Sequence, residues 1–166
     1  MDHINIVDAL QRDRPSFHVG GTRSWNALPE SLQTLQACAV EGARTLETGC
    51  GASTVVFAAQ GADHTVISPD GREHRLVRAY CRSIGIDDGR VSFIDASSDD
   101  VLPSLLRGRE LDFAFIDGAH SFPHPVVDFH YIARSLKVGG RILVDDIDSG
   151  RGPGVPVHGS GGELAT

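Results

Sequence analysis

Lysine is almost missing from this chain. Lys137 is the only one among 15 basic residues, against 22 acidic ones, and the formal charge is −7. No run of Lys or Arg makes up for it, so a nucleic-acid backbone is excluded as the main partner, because phosphate binding needs a basic face. Cysteine is scarce too: Cys38, Cys50 and Cys81 are odd in number and far apart. That argues against a disulfide framework and sets a reducing, cytoplasmic compartment as the expectation. No apolar run approaches the ~18 residues that would span a bilayer, and the opening Met-Asp-His-Ile-Asn lacks a signal-peptide layout, so no membrane partner is expected. The eight histidines (3, 18, 64, 74, 120, 124, 130 and 158) contain no H-E-x-x-H or Cys/His zinc spacing. Most read as surface or packing residues.

What remains is a chain of 166 residues, 40% hydrophobic and 22% charged, which fits one globular domain able to bury its own core. Residues 2–12 have Ile4, Val7 and Leu10 or Ile6 at helical spacing, and residues 29–40 repeat the pattern with Leu32, Leu35 and Cys38/Ala39. Between them lies a loop that carries Phe17 and Trp25. This leader, residues 1–42, is either a lid over a ligand or an element that packs on the sheet; position ahead of the first strand fits both. From 43 to 148, strand and helix patterns alternate. Strands are expected at 45–48, 64–68, 90–94, 111–116 and 141–144, with Gly139-Gly140 turning into the last. The helix at 71–84 should bury Leu76, Val77, Tyr80 and Ile84, and the one at 125–136 Val126, Phe129, Ile132 and Leu136. Repeated βα units predict an α/β fold, a parallel sheet covered by helices on both faces. Its ligands belong at the carboxyl ends of the strands. The tail, 149–166, is rich in Gly, Pro and Ser and reads as flexible.

The stretch from Arg44 to Ala58 organises the rest. A short β run breaks at Gly49-Cys50-Gly51 and continues into a helix, with Ser53 and Thr54 as good capping types. Such a turn lets the backbone approach a ligand and aims the first free N–H groups of the helix at it. Thr54 replaces the third glycine of a dinucleotide fingerprint, which speaks against a nicotinamide-dependent oxidoreductase. The acidic groups fall where strands end: Glu47, Asp70, Asp95, Asp117, and the pair Asp145-Asp146. Asp117, Asp145 and Asp146 can offer hard oxygen ligands to one metal, which suits Mg²⁺. His120, three residues past Asp117, is then placed to act as general base toward a hydroxyl bound at that metal.

Two motifs carry a family resemblance: Leu-Glu-Thr-Gly-Cys-Gly-Ala at 46–52 and Phe-Ile-Asp-Gly-Ala-His-Ser-Phe at 115–122. Together they resemble class I S-adenosylmethionine-dependent methyltransferases, including the macrocin-type sugar O-methyltransferases. The resemblance implies a Rossmann-like, doubly wound and mainly parallel sheet of about five strands in the order 3-2-1-4-5. It implies that Gly49, Cys50 and Gly51 lie against the methionine end of S-adenosylmethionine and that Glu47 orients its amino group. It places Ala96 and Ser97 at the adenine, Asp117 at the cofactor and metal, Asp145 and Asp146 at the metal, and His120 at the acceptor proton. The family acid for the ribose hydroxyls stands at the end of the second strand, where this chain has Ser68; either Asp70 replaces it, or Pro69-Asp70-Gly71 is simply a turn. Asp99 reads equally well as a helix cap. The family fold continues with further strands beyond the fifth, which residues 149–166 do not resemble. The apolar edge at 141–144 therefore suggests a truncated chain, or a second copy that covers it. The expected partner is a small hydroxylated methyl acceptor; a non-catalytic cofactor-binding or oligomerisation protein is the alternative.

Overall fold

The structure is a computed structural model and describes residues 5–18 and 27–145. Eleven elements follow one another: α1 (Ile6–Asp13), α2 (Pro29–Cys38), β1 (Arg44–Thr48), α3 (Ala52–Ala59), β2 (Asp63–Ser68), α4 (Gly71–Ser83), β3 (Val91–Asp95), α5 (Ser98–Leu105), β4 (Leu111–Ile116), α6 (His124–Ala133) and β5 (Leu136–Val144). The strands form one sheet in the order β3-β2-β1-β4-β5, and every pairing is parallel. The chain is thus a Rossmann-like α/β fold with the order expected from the sequence. Trp25, Asp146 and the tail 149–166 lie outside the described residues.

The period of two along β1 divides the core. Glu47, Phe113 and Phe115 face the α1–α4 side, where Ile6, Val7, Leu10, Phe17, Leu35, Val55 and Phe57 are buried. Leu46, Ala114 and Ile116 face the α5–α6 side, with Ile67, Leu102 and Ile132. The described part of the leader belongs to the first cluster. Phe17 meets Tyr80 of α4 edge-on at 5.7 Å, and the Tyr80 hydroxyl donates to Asp13 at 2.9 Å.

Three expectations about faces and boundaries hold only in part: Val77 and Ile132 are buried, and Tyr80, Ile84 and Leu136 pack against the cores, but other positions differ. On α4 the buried residues are His74, Val77 and Cys81, while Leu76 is exposed. On α6 they are Asp128 and Ile132, and Val126 and Phe129 point to solvent. An apolar stripe of the right period thus lies outward, and an acid takes the inner position. The last strand begins at Leu136, not at residue 141, because α6 ends at Ala133 and Gly139-Gly140 is absorbed into the strand as an irregularity opposite Leu111–Phe113. Gly139 has φ +84°, and a Cβ on Gly140 would press on the Lys137 and Leu111 carbonyls at 3.0 and 3.1 Å, so the glycine pair bulges the strand instead of ending a turn before it.

Candidate active site

The register puts Thr48, Ser68, Asp95, Ile116 and Val144 at one rim, so the loops that follow them share one end of the sheet. The turn after β1 sits at its centre. Gly49 has φ +94° and donates its N–H to Ile67 O at 2.9 Å. A Cβ on Gly49 would collide with the carbonyl of Asp117, so this glycine is required by the neighbouring loop of the protein itself. Gly51 differs. It is the N-cap of α3 with an extended backbone, and among the described residues a Cβ there would meet only the His18 ring, at 3.6 Å. The space beside Gly51 is therefore the one that a ligand can use. Cys50 between them is buried; burial first, then the charge of Glu47, pushes its thiol far up and leaves it a backbone contributor.

Glu47 is wholly buried. Its Oε1 accepts from the Thr54 hydroxyl and lies 3.1 Å from His64 Nε2; its Oε2 has no hydrogen-bond partner. His64 Nδ1 lies 2.8 Å from Thr45 Oγ1, and the imidazole stacks on Phe57 at 4.1 Å. The Gly51 N–H donates to Thr54 Oγ1 at 3.1 Å.

At the end of β2 the acid at 70 is engaged locally. Asp70 caps α4 by accepting from the Arg72 N–H at 2.9 Å and grips the Arg72 guanidinium at 2.7 Å; these hydrogen bonds hold its carboxyl down at about 2. The carboxylate at the strand end comes from the helix instead. Glu73 accepts from the Ser68 hydroxyl at 3.0 Å, and its other oxygen lies 2.8 Å from His18 Nδ1, with both side chains mostly buried. Beyond β3, Asp95 leans on Gly71, where a Cβ would collide with its carboxylate. Ala96 and Ser97 are half-buried at the same rim; Ser97 is the N-cap of α5, and its hydroxyl donates to Asp99, which holds that carboxyl down.

After β4, Asp117 and His120 stand together, with His120 Nε2 3.7 Å from Asp117 Oδ1 and both side chains partly exposed. Asp145 follows β5 next to them, its N–H bonded to Ile116 O at 2.9 Å. Among the described residues, no three acidic, His or Cys side chains gather as a metal site; Asp146, the third ligand expected, lies outside them.

This arrangement, a glycine turn and helix N-terminus at the centre of a 3-2-1-4-5 sheet, coincides with a match to the methyltransferase domain family over residues 46–147. The chain belongs to that family. No curated protein matches the chain. This methyltransferase domain is similar in fold to the SAH-bound methyltransferase PaMTH1 of Podospora anserina, with a TM-score of 0.64 at 19% identity over 89% of this chain and 63% of that one. It is also similar to a SAM-dependent methyltransferase of Thiobacillus denitrificans in complex with S-adenosyl-L-homocysteine (TM-score 0.53, 24% identity, 87% and 54% covered). A third similar fold is a putative caffeoyl-CoA O-methyltransferase of Staphylococcus aureus (TM-score 0.58, 14% identity, 89% and 67% covered). The domain thus spans between about half and two thirds of these chains.

Sequence reasoning missed the part played by four residues in or beneath this methyltransferase domain's rim. Glu73 could have been found, since Asp70-x-x-Glu73 has the spacing of a capping box, but that reading would have aimed its carboxylate at Asp70 and not at Ser68. Thr54 was read as a capping residue and a lost glycine, and its hydrogen bond to Glu47 was not foreseen. His18 and His64 carry no local signal, because each is defined by a partner 55 or 17 residues away.

Proposed function

We propose that this methyltransferase domain transfers the methyl group of S-adenosylmethionine to a hydroxyl of a small metabolite. The observation that carries this reading is the Gly49–Gly51 turn opening onto the N-terminus of α3, in a chain of the methyltransferase domain family. The residues present fit the cofactor: the position beside Gly51 is one that a Cβ would fill, and helix N–H groups point toward it. Gly49, Cys50 and Gly51 would line the methionine end through their backbone. Glu73 and Ser68, joined at the end of β2, would meet the ribose hydroxyls, while Asp70 caps α4 and grips Arg72. Ala96 and Ser97 would border the adenine, and Asp117 the far side of the turn.

When bound, the cofactor supplies an electrophilic methyl group on a sulfonium. His120 would take the acceptor's hydroxyl proton on its imidazole, leaving the oxygen free to accept that methyl group. The Asp117 carboxylate, 3.7 Å from Nε2, stabilises the resulting imidazolium. A divalent metal held by Asp117, Asp145 and Asp146 would lower the acceptor's pKa further; no step above depends on it. Exposed apolar side chains at Phe122 ahead of α6, at Val126 and Phe129 of α6 and at Val138 of β5 suit a second copy over the β5 edge, which sedimentation would detect.

Calorimetric titration of S-adenosylhomocysteine into the folded protein, with Mg²⁺ and then with EDTA, tests the reading. Binding in both conditions is expected. No binding in either would overturn it, and binding only with Mg²⁺ would move the metal from the acceptor step to the cofactor.

A further inference from the structure

A continuous run of side chains joins the interior of the sheet to the glycine turn. It starts at Thr45 on β1, passes through His64 on β2 at 2.8 Å and Glu47 at 3.1 Å, reaches the Thr54 hydroxyl on α3, and ends at the Gly51 N–H at 3.1 Å. Thr45, Glu47, Thr54 and His64 are each 1% exposed or less. Family resemblance assigns Glu47 direct contact with the cofactor's amino group, but a carboxylate with no accessible surface cannot touch a ligand as it stands.

The chemistry of the run points to another task. Thr54 at the third turn position has a hydroxyl that accepts from the N-cap N–H and donates to Glu47, so it locks the first turn of α3 to the strand below it. Glu47 is held by the His64 imidazole, and the imidazole is fixed by Thr45 and by the Phe57 ring, whose plane lies 11° from its own. A charge-assisted hydrogen bond in a dry interior is among the strongest available for fixing a backbone segment. Glycine at position 51 gives a loose turn; this run supplies the stiffness that the glycines remove.

We propose that Glu47, His64 and Thr54 are positioning residues of the cofactor site, acting on the ligand only through the conformation of the Cys50-Gly51 turn. The proposal rests on the cofactor reading above. A ligand binding to the turn then gains from Glu47 without meeting it, and every part of the ligand that depends on the turn gains alike.

The two roles separate when the ligand is changed together with the protein. S-adenosylhomocysteine and its analogue lacking the α-amino group are titrated into wild type and into the full-length variants E47Q, T54V, T54S and T45V. Positioning predicts that E47Q and T54V weaken both ligands by the same factor, ~10-fold as for one charge-assisted hydrogen bond. T54S, which keeps the hydroxyl, should retain wild-type affinity, and T45V at the far end should cost both ligands about threefold. Ile132→Ala, in the opposite core cluster, serves as control: it should lower the melting temperature without changing either affinity. E47Q that abolishes discrimination between the two ligands would show direct contact and overturn the proposal, as would unchanged affinity in both E47Q and T54V. Should E47Q fail to fold, the comparison of T54V with T54S decides alone. Wild type that binds neither ligand would overturn the cofactor reading and this proposal with it; wild type that binds both, with all variants unchanged, overturns only the proposal.

Discussion

Glu47 and Thr48 are neighbours at the tip of β1, and they enter two very different interiors. On the α1–α4 side, Glu47 joins a run in which every neighbouring side chain has a partner and only Oε2 is left over. On the α5–α6 side, Thr48 Oγ1 and both carboxylate oxygens of Asp128 are buried with no hydrogen bond of good geometry. Burial is the largest influence on Asp128 and raises its pKa; the nearby hydroxyls of Ser98 and Thr48 and the charge of His124 pull it down, while the charge of Asp99 adds to the rise. A buried acid can thus be accommodated in two ways in one small domain. The first surrounds it with donors, and the second leaves it short of them, so that its pKa rises.

The largest effect is expected where the two sides meet, at the turn itself. Gly49→Val forces a side chain into the Asp117 carbonyl at φ +94° and should cost ~3 kcal/mol or more, measured by denaturation without any ligand. A stable variant would show that the turn and the β4 loop are not packed as described. Next comes Glu47→Ala, which leaves His64 Nε2 buried without its partner, takes the acceptor from the Thr54 hydroxyl and opens a cavity; roughly 3 kcal/mol should be lost. If it costs no more than a surface change, the front side is not the better-partnered one.

The back should respond with the opposite sign. Because the folded state raises the Asp128 pKa, the native protein holds that proton more tightly than the unfolded chain does. Its destabilisation is absent below the unfolded carboxylate value of about 4, grows as pH rises, and is complete above the raised folded value. Asp128→Asn should therefore stabilise the domain at pH 8 by on the order of 1 kcal/mol, with the gain shrinking as pH falls. Melting curves of both proteins across pH would check it, and a gain that does not depend on pH would contradict it. The smallest effect on stability belongs to Gly51→Ala, within about 0.5 kcal/mol, since the backbone there is extended and the nearest atom is 3.6 Å away. The same change should reduce S-adenosylhomocysteine affinity at least ~10-fold by filling the cradle.

The parallel sheet was legible because short apolar runs alternate with helical ones; its strand order came with the family resemblance carried by the motifs at 46–52 and 115–122. Helix faces were less so. On α6, Val126 and Phe129 offer a regular apolar stripe, yet the helix buries Asp128 and Ile132, a choice made by the sheet beneath and not by the helix. The rim positions Gly49, Gly51, Asp117 and His120 could be named because each lies in a short motif. Glu73, His18 and His64 could not, because their partners belong to other elements; Thr45 and His64 become neighbours only when β1 and β2 pair in register.

The missing side chain of Gly49 also governs distance. Its backbone lies directly against the Asp117 carbonyl, and Asp117 N–H is bonded to Thr48 O at 3.0 Å. Under the proposed function, the turn that would seat a methyl donor and the loop that would bear the proton acceptor are thereby fastened main chain to main chain. Exchanging other side chains would leave that main-chain junction in place, so an acceptor would be measured against a fixed gauge. Adaptation to a longer or shorter acceptor then has to come from the walls around that gauge, while the gauge itself stays constant.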